Sequence, residues 1–504
     1  MKVQLSSFGR PRRLALAGLL ATGCLTAAAG GADAGFASPT SSGTVLQTNL
    51  VSDLPGVAAV TDANLVNPWG ISESSASPFW LSDNNAGLST LYSVPGASNT
   101  PVSVSPLAVN IPTPISLTGG APTGTVFNTD AAGGAFEITG PNSSGQTTSA
   151  PALFLFDTED GTIVGWNPGI DPTKQFAGPN GASTHAVIAV DNSGNNFTNP
   201  DPNQQTGAVY KGLAIETSST PIITGDADST ALLYASNFRA GTIEVYDADF
   251  HPVTTLPPGA FHDPQLPAGF APFDVQALGG KIYVTYARQD ATKHDDAAGP
   301  HRGFVDVFNP DGSPGLPGGN VRLVSRGPLD SPWGLAIAPQ GFAGLSAPSN
   351  DPVLLVGNFG NGLINAFDAT TGSLVGQLTD PDGEPIRIDG LWGLSVGNGG
   401  AGGSSNTVYF TAGLFSERHG LFGSLSTVSP GSPEGPAESQ MVQADLDVVQ
   451  LDLQQLVKDS STGAPAATIR QDTRTLDADT DTLWLDERAF AHDSAVDTAP
   501  SSAG

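Results

Sequence analysis

One phrase recurs along this chain, and it constrains the fold more than any other feature. It reads Asn67-Pro68-Trp69-Gly70-Ile71, Tyr210-Lys211-Gly212-Leu213, Ala271-Pro272-Phe273-Asp274-Val275, Ser331-Pro332-Trp333-Gly334-Leu335 and Leu391-Trp392-Gly393-Leu394. A weaker copy is Pro122-Thr123-Gly124-Thr125-Val126, and the copies at 212, 274, 334 and 393 lie 62, 60 and 59 residues apart. A second phrase, Asp or Asn followed by a Gly-containing turn, appears at Ser82-Asp83-Asn84-Asn85-Ala86-Gly87, Phe156-Asp157-Thr158-Glu159-Asp160-Gly161, Ser236-Asn237-Phe238-Arg239-Ala240-Gly241 and Gly357-Asn358-Phe359-Gly360-Asn361-Gly362. Two divergent copies carry their glycines at Gly303 and Gly420. Self-similarity at such a period marks units that bury their faces only against one another.

Within each unit the short apolar runs 232–235, 281–284 and 353–356 read as strands covered on both faces, whereas 243–246 and 305–308 alternate as outer strands do. Six copies of three or four such strands predict an all-β fold, a six-bladed β-propeller over 44–428. A ring of sheets buries repeats without leaving open edges. The last unit stops at its third strand, 421–428, so the β-rich segment 44–51 is expected to supply the missing outer strand and clasp the ring.

The ends read differently. Arg10, Arg12 and Arg13 precede an apolar run at 14–29 that is too short to favour a spanning helix, so 1–34 is expected to be a signal peptide. Ala32-Asp33-Ala34 and Ala21-Thr22-Gly23-Cys24 compete as cleavage sites, and the second would leave Cys24 lipidated. Either places the mature chain, which carries no spanning segment of its own, in a periplasm, outside the cell or on its surface. Residues 429–440 read as a linker. In 441–490, Val442, Leu446, Val449, Leu453 and Leu456 recur at helical spacing, which predicts a short acidic α-helical extension, and 491–504 reads as a disordered tail.

Charge narrows the partners. Against 19 Lys and Arg stand 48 Asp and Glu, a net −29. Phosphate recognition needs clustered basic residues, so nucleic acid is excluded as a partner. A small molecule, a glycan, a surface protein or a cation stays open.

The phrases Asn64-Leu65-Val66-Asn67-Pro68-Trp69-Gly70, Asp157-Thr158-Glu159-Asp160-Gly161, Gly269-Phe270-Ala271-Pro272-Phe273, Lys293-His294-Asp295-Asp296 and Ser331-Pro332-Trp333-Gly334 resemble, in order over about 44–428, an uncharacterised family of exported bacterial six-bladed β-propeller proteins. More distantly the repeat is similar to NHL and gluconolactonase-type propellers. The resemblance implies fold and export. It implies no activity, since such propellers include both metal-dependent lactonases and binding modules.

In a propeller both repeated phrases fall on one face. Trp69, Trp333, Trp392, Asp83, Asp157, Asn237, Arg239 and Asn358 are therefore expected around one mouth, as candidate ligand contacts. An Asp or Asn opening a turn also bonds its own backbone, and repeated Trp-Gly also serves packing between blades. Two units replace the compact turn with longer loops, 288–302 and 413–419, expected on the neighbouring fifth and sixth blades. With the Asp157 turn they offer Asp157, Glu159, Asp290, His294, Asp295, Glu417 and His419, carboxylates and imidazoles suited to a divalent cation (Ca, Mn or Zn) or to acid–base chemistry. Two functions follow: a propeller that binds a ligand or partner at this mouth, or a metal-dependent hydrolase of lactonase or esterase type.

Overall fold

The computed structural model describes residues 41–428 except 95–101, 228 and 349, all within the unit Pro39–Gly504. The predicted signal segment with Cys24, the linker, the helical extension and the tail lie outside the described residues. Among those described, no helix is long and apolar enough to cross a membrane.

The chain builds one small antiparallel sheet after another. Pro68–Ser72, Phe79–Asp83 and Leu88–Ser93 pair in sequence, with Ser103–Val104 and Val109–Asn110 on the outer edge. Pro122–Phe127, Phe154–Thr158, Thr162–Trp166 and Val187–Asp191 form the next sheet. Tyr210–Thr217, Ala231–Asn237 and Thr242–Tyr246 follow, then Phe270–Leu278, Lys281–Arg288, Gly303–Phe308 and Arg322–Ser325. Pro332–Ile337, Val353–Asn358, Ile364–Asp368 and Leu374–Thr379 come next, and Leu391–Val396, Thr407–Gly413 and His419–Thr427 come last. The strand Ser41–Ser52 pairs antiparallel with His419–Thr427, Val45 opposite Thr427 and Ser52 opposite Leu421. Its first residues also run parallel to Leu374–Thr379.

The first strand of each sheet touches the first strand of the next, and Leu391–Val396 returns to Pro68–Ser72. That circuit makes the molecule a β-propeller. Its axis is tight, which explains the glycine of the repeated phrase. A Cβ on Gly393 would stand 2.7 Å from the Trp69 carbonyl, and one on Gly334 would collide with the Trp392 carbonyl. No larger residue lets inner strands of neighbouring sheets approach this closely.

The core follows the same plan. Apolar clusters fill the gap between each sheet and the next. Leu232, Tyr234 and Val245 meet Val275, Val284 and Phe304, for example, and Val305, Val307 and Leu323 meet Leu335, Leu354 and Phe367. Each fully buried side chain of this kind contributes about 1.5–3 kcal/mol. A separate cluster of Trp69, Phe238, Phe273, Trp333 and Trp392 plugs one end of the axis, with Phe359 against it.

One expectation needs correcting. The loops 288–302 and 413–419 leave the sheets that begin at Phe270 and Leu391, and the sheet from Pro332 to Thr379 stands between them. They are not neighbours. They approach each other only because both lean over the axis.

Candidate functional site

The repeated phrase delivers one residue per sheet to the mouth: Trp69, Thr123, Lys211, Phe273, Trp333 and Trp392. Trp69 stacks on Trp392 with centroids 3.5 Å apart, and Trp392 stacks on Phe359 at 4.0 Å. Trp333 meets Trp69 and Trp392 edge-on at 6.2 and 5.7 Å. These faces are spent on one another, so the rings form a floor and not an open stacking platform. The Trp392 indole N–H donates to Asn67 Oδ1 at 3.0 Å and that of Trp333 to the Lys211 carbonyl at 2.9 Å. Asn67 is fully buried and held at φ 51°. Replacing it with Ala leaves the Trp392 donor unmet and keeps a left-handed residue without its polar side chain, an expected loss of about 2 kcal/mol. Denaturant unfolding of Asn67→Ala reads it directly.

Lys211 stands where four of the other five copies carry an aromatic ring. Its side chain is 2 % exposed, its ammonium lies 4.9 Å from the Trp69 centroid, and it pairs with Glu159 Oε1 and, at 3.3 Å, Asp295 Oδ1. Burial alone would discharge such a group. The Glu159 and Asp295 carboxylates outweigh that and raise its pKa, so Lys211 stays charged and is no nucleophile.

Around this ammonium lies a cavity of about 380 Å³, lined by Trp69, Glu159, Lys211, His294, Asp295, Asp296, Trp392 and Glu417 among others. Its acidic groups come from three segments far apart in sequence, at Glu159, at Asp295 and Asp296, and at Glu417. Asn84 Nδ2 donates to Glu159 Oε2 at 3.1 Å. His294 Nδ1 lies 2.8 Å from Asp295 Oδ1. Burial opposes ionisation of Asp295, but His294 and Lys211 together hold its carboxyl well below the usual value. Glu417 goes the other way: burial, then the Glu159 charge, push it up to about 7.

Glu417 is presented by an unusual turn. Phe415, Ser416 and Glu417 all adopt left-handed backbone, φ 55°, 56° and 66°. Each such residue costs about 1 kcal/mol or more and persists only where its surroundings impose it. Here Phe415 N–H donates to Asp389 Oδ2 at 2.9 Å and Asn85 Nδ2 to the Glu417 carbonyl at 2.5 Å. A second recess shares Glu159 and His294 with the cavity and continues past Ala121, Asp160, Asn196, Phe197 and Gln205.

Apart from Trp69 and Trp392, the other candidate residues are not among the cavity lining. Asp157 is fully buried and accepts from Thr123 Oγ1 at 2.8 Å and Gly124 N–H at 2.7 Å. Asp83 is fully buried at its strand end. Asn237 bonds Glu244 at 2.7 Å, and Asn358 bonds the Pro328 carbonyl at 2.8 Å. Arg239 bonds Asn196, Gly207 and Gln205 and so braces the second recess. Asp290 accepts from Thr292 and from His294 N–H, shaping its own loop. His419 pairs with Asp53 at 2.7 Å, which pins the N-terminal segment. Trp69 and Trp392 line the cavity, and Trp333 is not among its lining residues. Lys211 was missed. Its signal was on view, a charged residue at the aromatic position of Tyr210-Lys211-Gly212.

Glu159, His294 and Asp295 bring one ligand atom each within 4.8 Å of one another, a grouping able to hold a metal ion. Lys211 already donates to Glu159 Oε1 and Asp295 Oδ1. A divalent cation bound there would stand against that ammonium.

No family model matches the chain. Uncharacterized protein R648 of Acanthamoeba polyphaga mimivirus is 30% identical over 382 residues, 75% of this chain and 78% of that protein. Uncharacterized protein L690 of the same virus is 30% identical over 379 residues, 75% of this chain and 84% of that one. Among solved structures, an alpha-L-arabinanase of Penicillium chrysogenum aligns at TM-score 0.40 and 12% identity over 76% of this chain and 98% of its own. The two sequence relatives are viral, so they lend no support to the bacterial and exported character that the resemblance implied.

Proposed function

This chain belongs to one family with the mimivirus proteins R648 and L690, and on that premise we propose that it is a six-bladed propeller that binds a small ligand in the cavity around Lys211. One observation carries the reading. Glu159, the pair Asp295 and Asp296, and Glu417 converge on a single buried ammonium from three separate segments, one of them a strained left-handed turn. A solvated surface loop has no reason to maintain that arrangement, because strain of this kind collects where a site must be held open.

Metal-dependent hydrolysis is the second reading, and the Glu159, His294, Asp295 grouping favours it. The ammonium that pairs with two of those residues weighs against it. Thermal-shift screening of the full chain with amines, sugars and Ca, Mn or Zn salts separates the two. Ligand binding predicts a hit among the organic compounds that Glu159→Gln removes. Hydrolysis predicts stoichiometric metal by elemental analysis, lost on Asp295→Asn together with turnover of a lactone or ester. Stabilisation by any compound that Glu159→Gln leaves untouched places binding outside this cavity and defeats the first reading.

A further inference from the structure

Ring closure and the cavity meet at one short loop. The turn at 415–417 holds three consecutive non-glycine residues in left-handed backbone, and such a run persists only where outside contacts impose it. Its tethers come from three places. Asp389 takes the Phe415 N–H, and Asn85 Nδ2 donates to the Glu417 carbonyl. The third tether is the segment that closes the ring. Directly after the strand Ser41–Ser52, Asp53 Oδ1 accepts from Gly420 N–H at 2.8 Å, and its Oδ2 lies 2.7 Å from His419 Nδ1. Ser52 Oγ adds a bond to the Gly420 carbonyl at 2.7 Å. His419 bridges back to Leu414, so it forms the foot of the loop that carries Glu417. The Asp53 side chain is only 10 % exposed, and hydrogen bonds to a carboxylate shielded from water are the strong kind. A further bond, from Arg418 Nε to the Phe415 carbonyl, lies within the loop and moves with it.

We propose that Asp53 is a positioning residue for the cavity: the segment that clasps the propeller also sets Glu417 in the cavity wall. The role rests on the cavity being the binding site. Glu417 lines it, with its carboxyl near enough to Glu159 and Lys211 to respond to both charges. A free loop would carry that carboxylate outward. It is buried among the charges of Glu159, Asp295 and Asp296, and water solvates it better. Relaxing the left-handed turn would displace it as well. The tethers oppose both, and the Asp53 bonds exist only while the N-terminal strand is in place. The site is therefore complete only in the closed ring. Displacing Ser41–Ser52 releases Glu417 together with the edge of His419–Thr427.

The test is a double-mutant cycle on the full chain and needs no ligand. Glu417→Gln removes an unfavourable buried charge, so it is expected to raise the urea midpoint at pH 8. In an Asp53→Ala background the same substitution finds the side chain already in water, and the upward shift falls to less than about half. A role in clasping alone leaves the shift whole, because the effects of independent sites add. Val45→Ala is the control. Val45 is buried on the same strand, opposite Thr427 and away from Asp53. Its truncation weakens the clasp without touching the tether, so the Glu417→Gln shift should survive there in full. His419→Ala spares the strand and the Gly420 bond. It stands in for Asp53→Ala if that chain does not fold, and should diminish the shift in the same sense. A shift undiminished by Asp53→Ala, or by His419→Ala where it stands in, overturns the proposal. So does a shift lost equally in Val45→Ala, or no shift in the natural chain. A ligand screen without a hit defeats the binding reading and leaves this coupling as measured.

Discussion

Replacing Lys211 with Met lowers the unfolding free energy by about 3 kcal/mol at pH 7, and Ca or Mn then restores part of the loss. The first effect follows from what is left behind. The ammonium is buried, with a side chain 2 % exposed, and Glu159 is 14 % exposed. Removing one partner of a buried pair costs about 3–5 kcal/mol, because the other charge stays unpaired and desolvated. Asp295 is 65 % exposed, so water screens it and its share is small. That sets the expectation at the low end of the range. Met fills much of the Lys volume beside Trp69, so packing is nearly kept. The second effect follows from the ligand atoms of Glu159, His294 and Asp295, which lie within 4.8 Å of one another and lose the cation that now neutralises them. A divalent ion that binds only the folded state adds stability by mass action. Urea unfolding of both proteins, with and without 5–10 mM Ca or Mn (roughly a saturating excess for a sub-millimolar site), decides it. A loss below about 1 kcal/mol denies the pair its structural weight, and a variant indifferent to metal denies that the grouping can act as a site.

The fold was legible because its signals are local and repeated. A glycine at one position of five of the six phrases (Asp274 stands there in the other), short apolar runs and Asp/Asn turns together prescribe small sheets, and at Gly334 and Gly393 the axis needs that glycine for close approach. The strand Ser41–Ser52 lies on His419–Thr427, where the short last unit left room for it. The site was legible only in part. The acids at 295 and 417 stood out as departures from a compact turn and Glu159 as part of an acidic one, but which of them meet depends on ring closure, a property of the whole circuit. Asp290 and His419 are the same residue types in the same loops. Yet one bonds its own loop and the other bonds Asp53. Lys211 was hidden by its company. The shared residues of the repeat stand out in the sequence, whereas the ammonium of Lys211 is a departure confined to one copy. The indoles misled in the opposite sense. Their stacking on one another consumes the faces that a ligand would use.

Raising the pH from 5 to 8 should lower the stability of this protein by several kcal/mol, against the habit of acidic proteins that weaken on acidification. The cause is a set of buried carboxyl groups, all but Asp306 without a cation of their own. Burial pushes Asp157 up to about 7 and Glu73 up to about 8. Asp83 and Asp274 go well above the usual range for the same reason. Asp306 reaches about 6, with burial outweighing its bond to Arg322. In the unfolded chain these groups titrate near 4. Between that value and the raised one, the folded state holds protons that the unfolded state has released. Stability then falls as pH rises, because its slope follows protons bound by the unfolded state minus those bound by the folded state. The contribution is complete below about pH 4 and is lost through each raised value in turn. Asp171 and Asp295, whose pKa values are lowered, act in the opposite sense. They are ionised in both states above about pH 5 and add no slope there. Asp157 allows the effect to be isolated. Its Oδ1 takes the Thr123 and Gly124 donors while Oδ2 has no partner among the described residues. Asn keeps the acceptor and mimics the protonated acid, so Asp157→Asn should change little at pH 5 and stabilise by about 1 kcal/mol or more at pH 8. Urea midpoints at pH 5, 6.5 and 8 for both proteins measure it. A natural chain equally stable at the two ends means that these acids reach water or a cation in solution. A variant that runs parallel to it clears Asp157 and moves the burden to Asp83, Asp274 and Glu73.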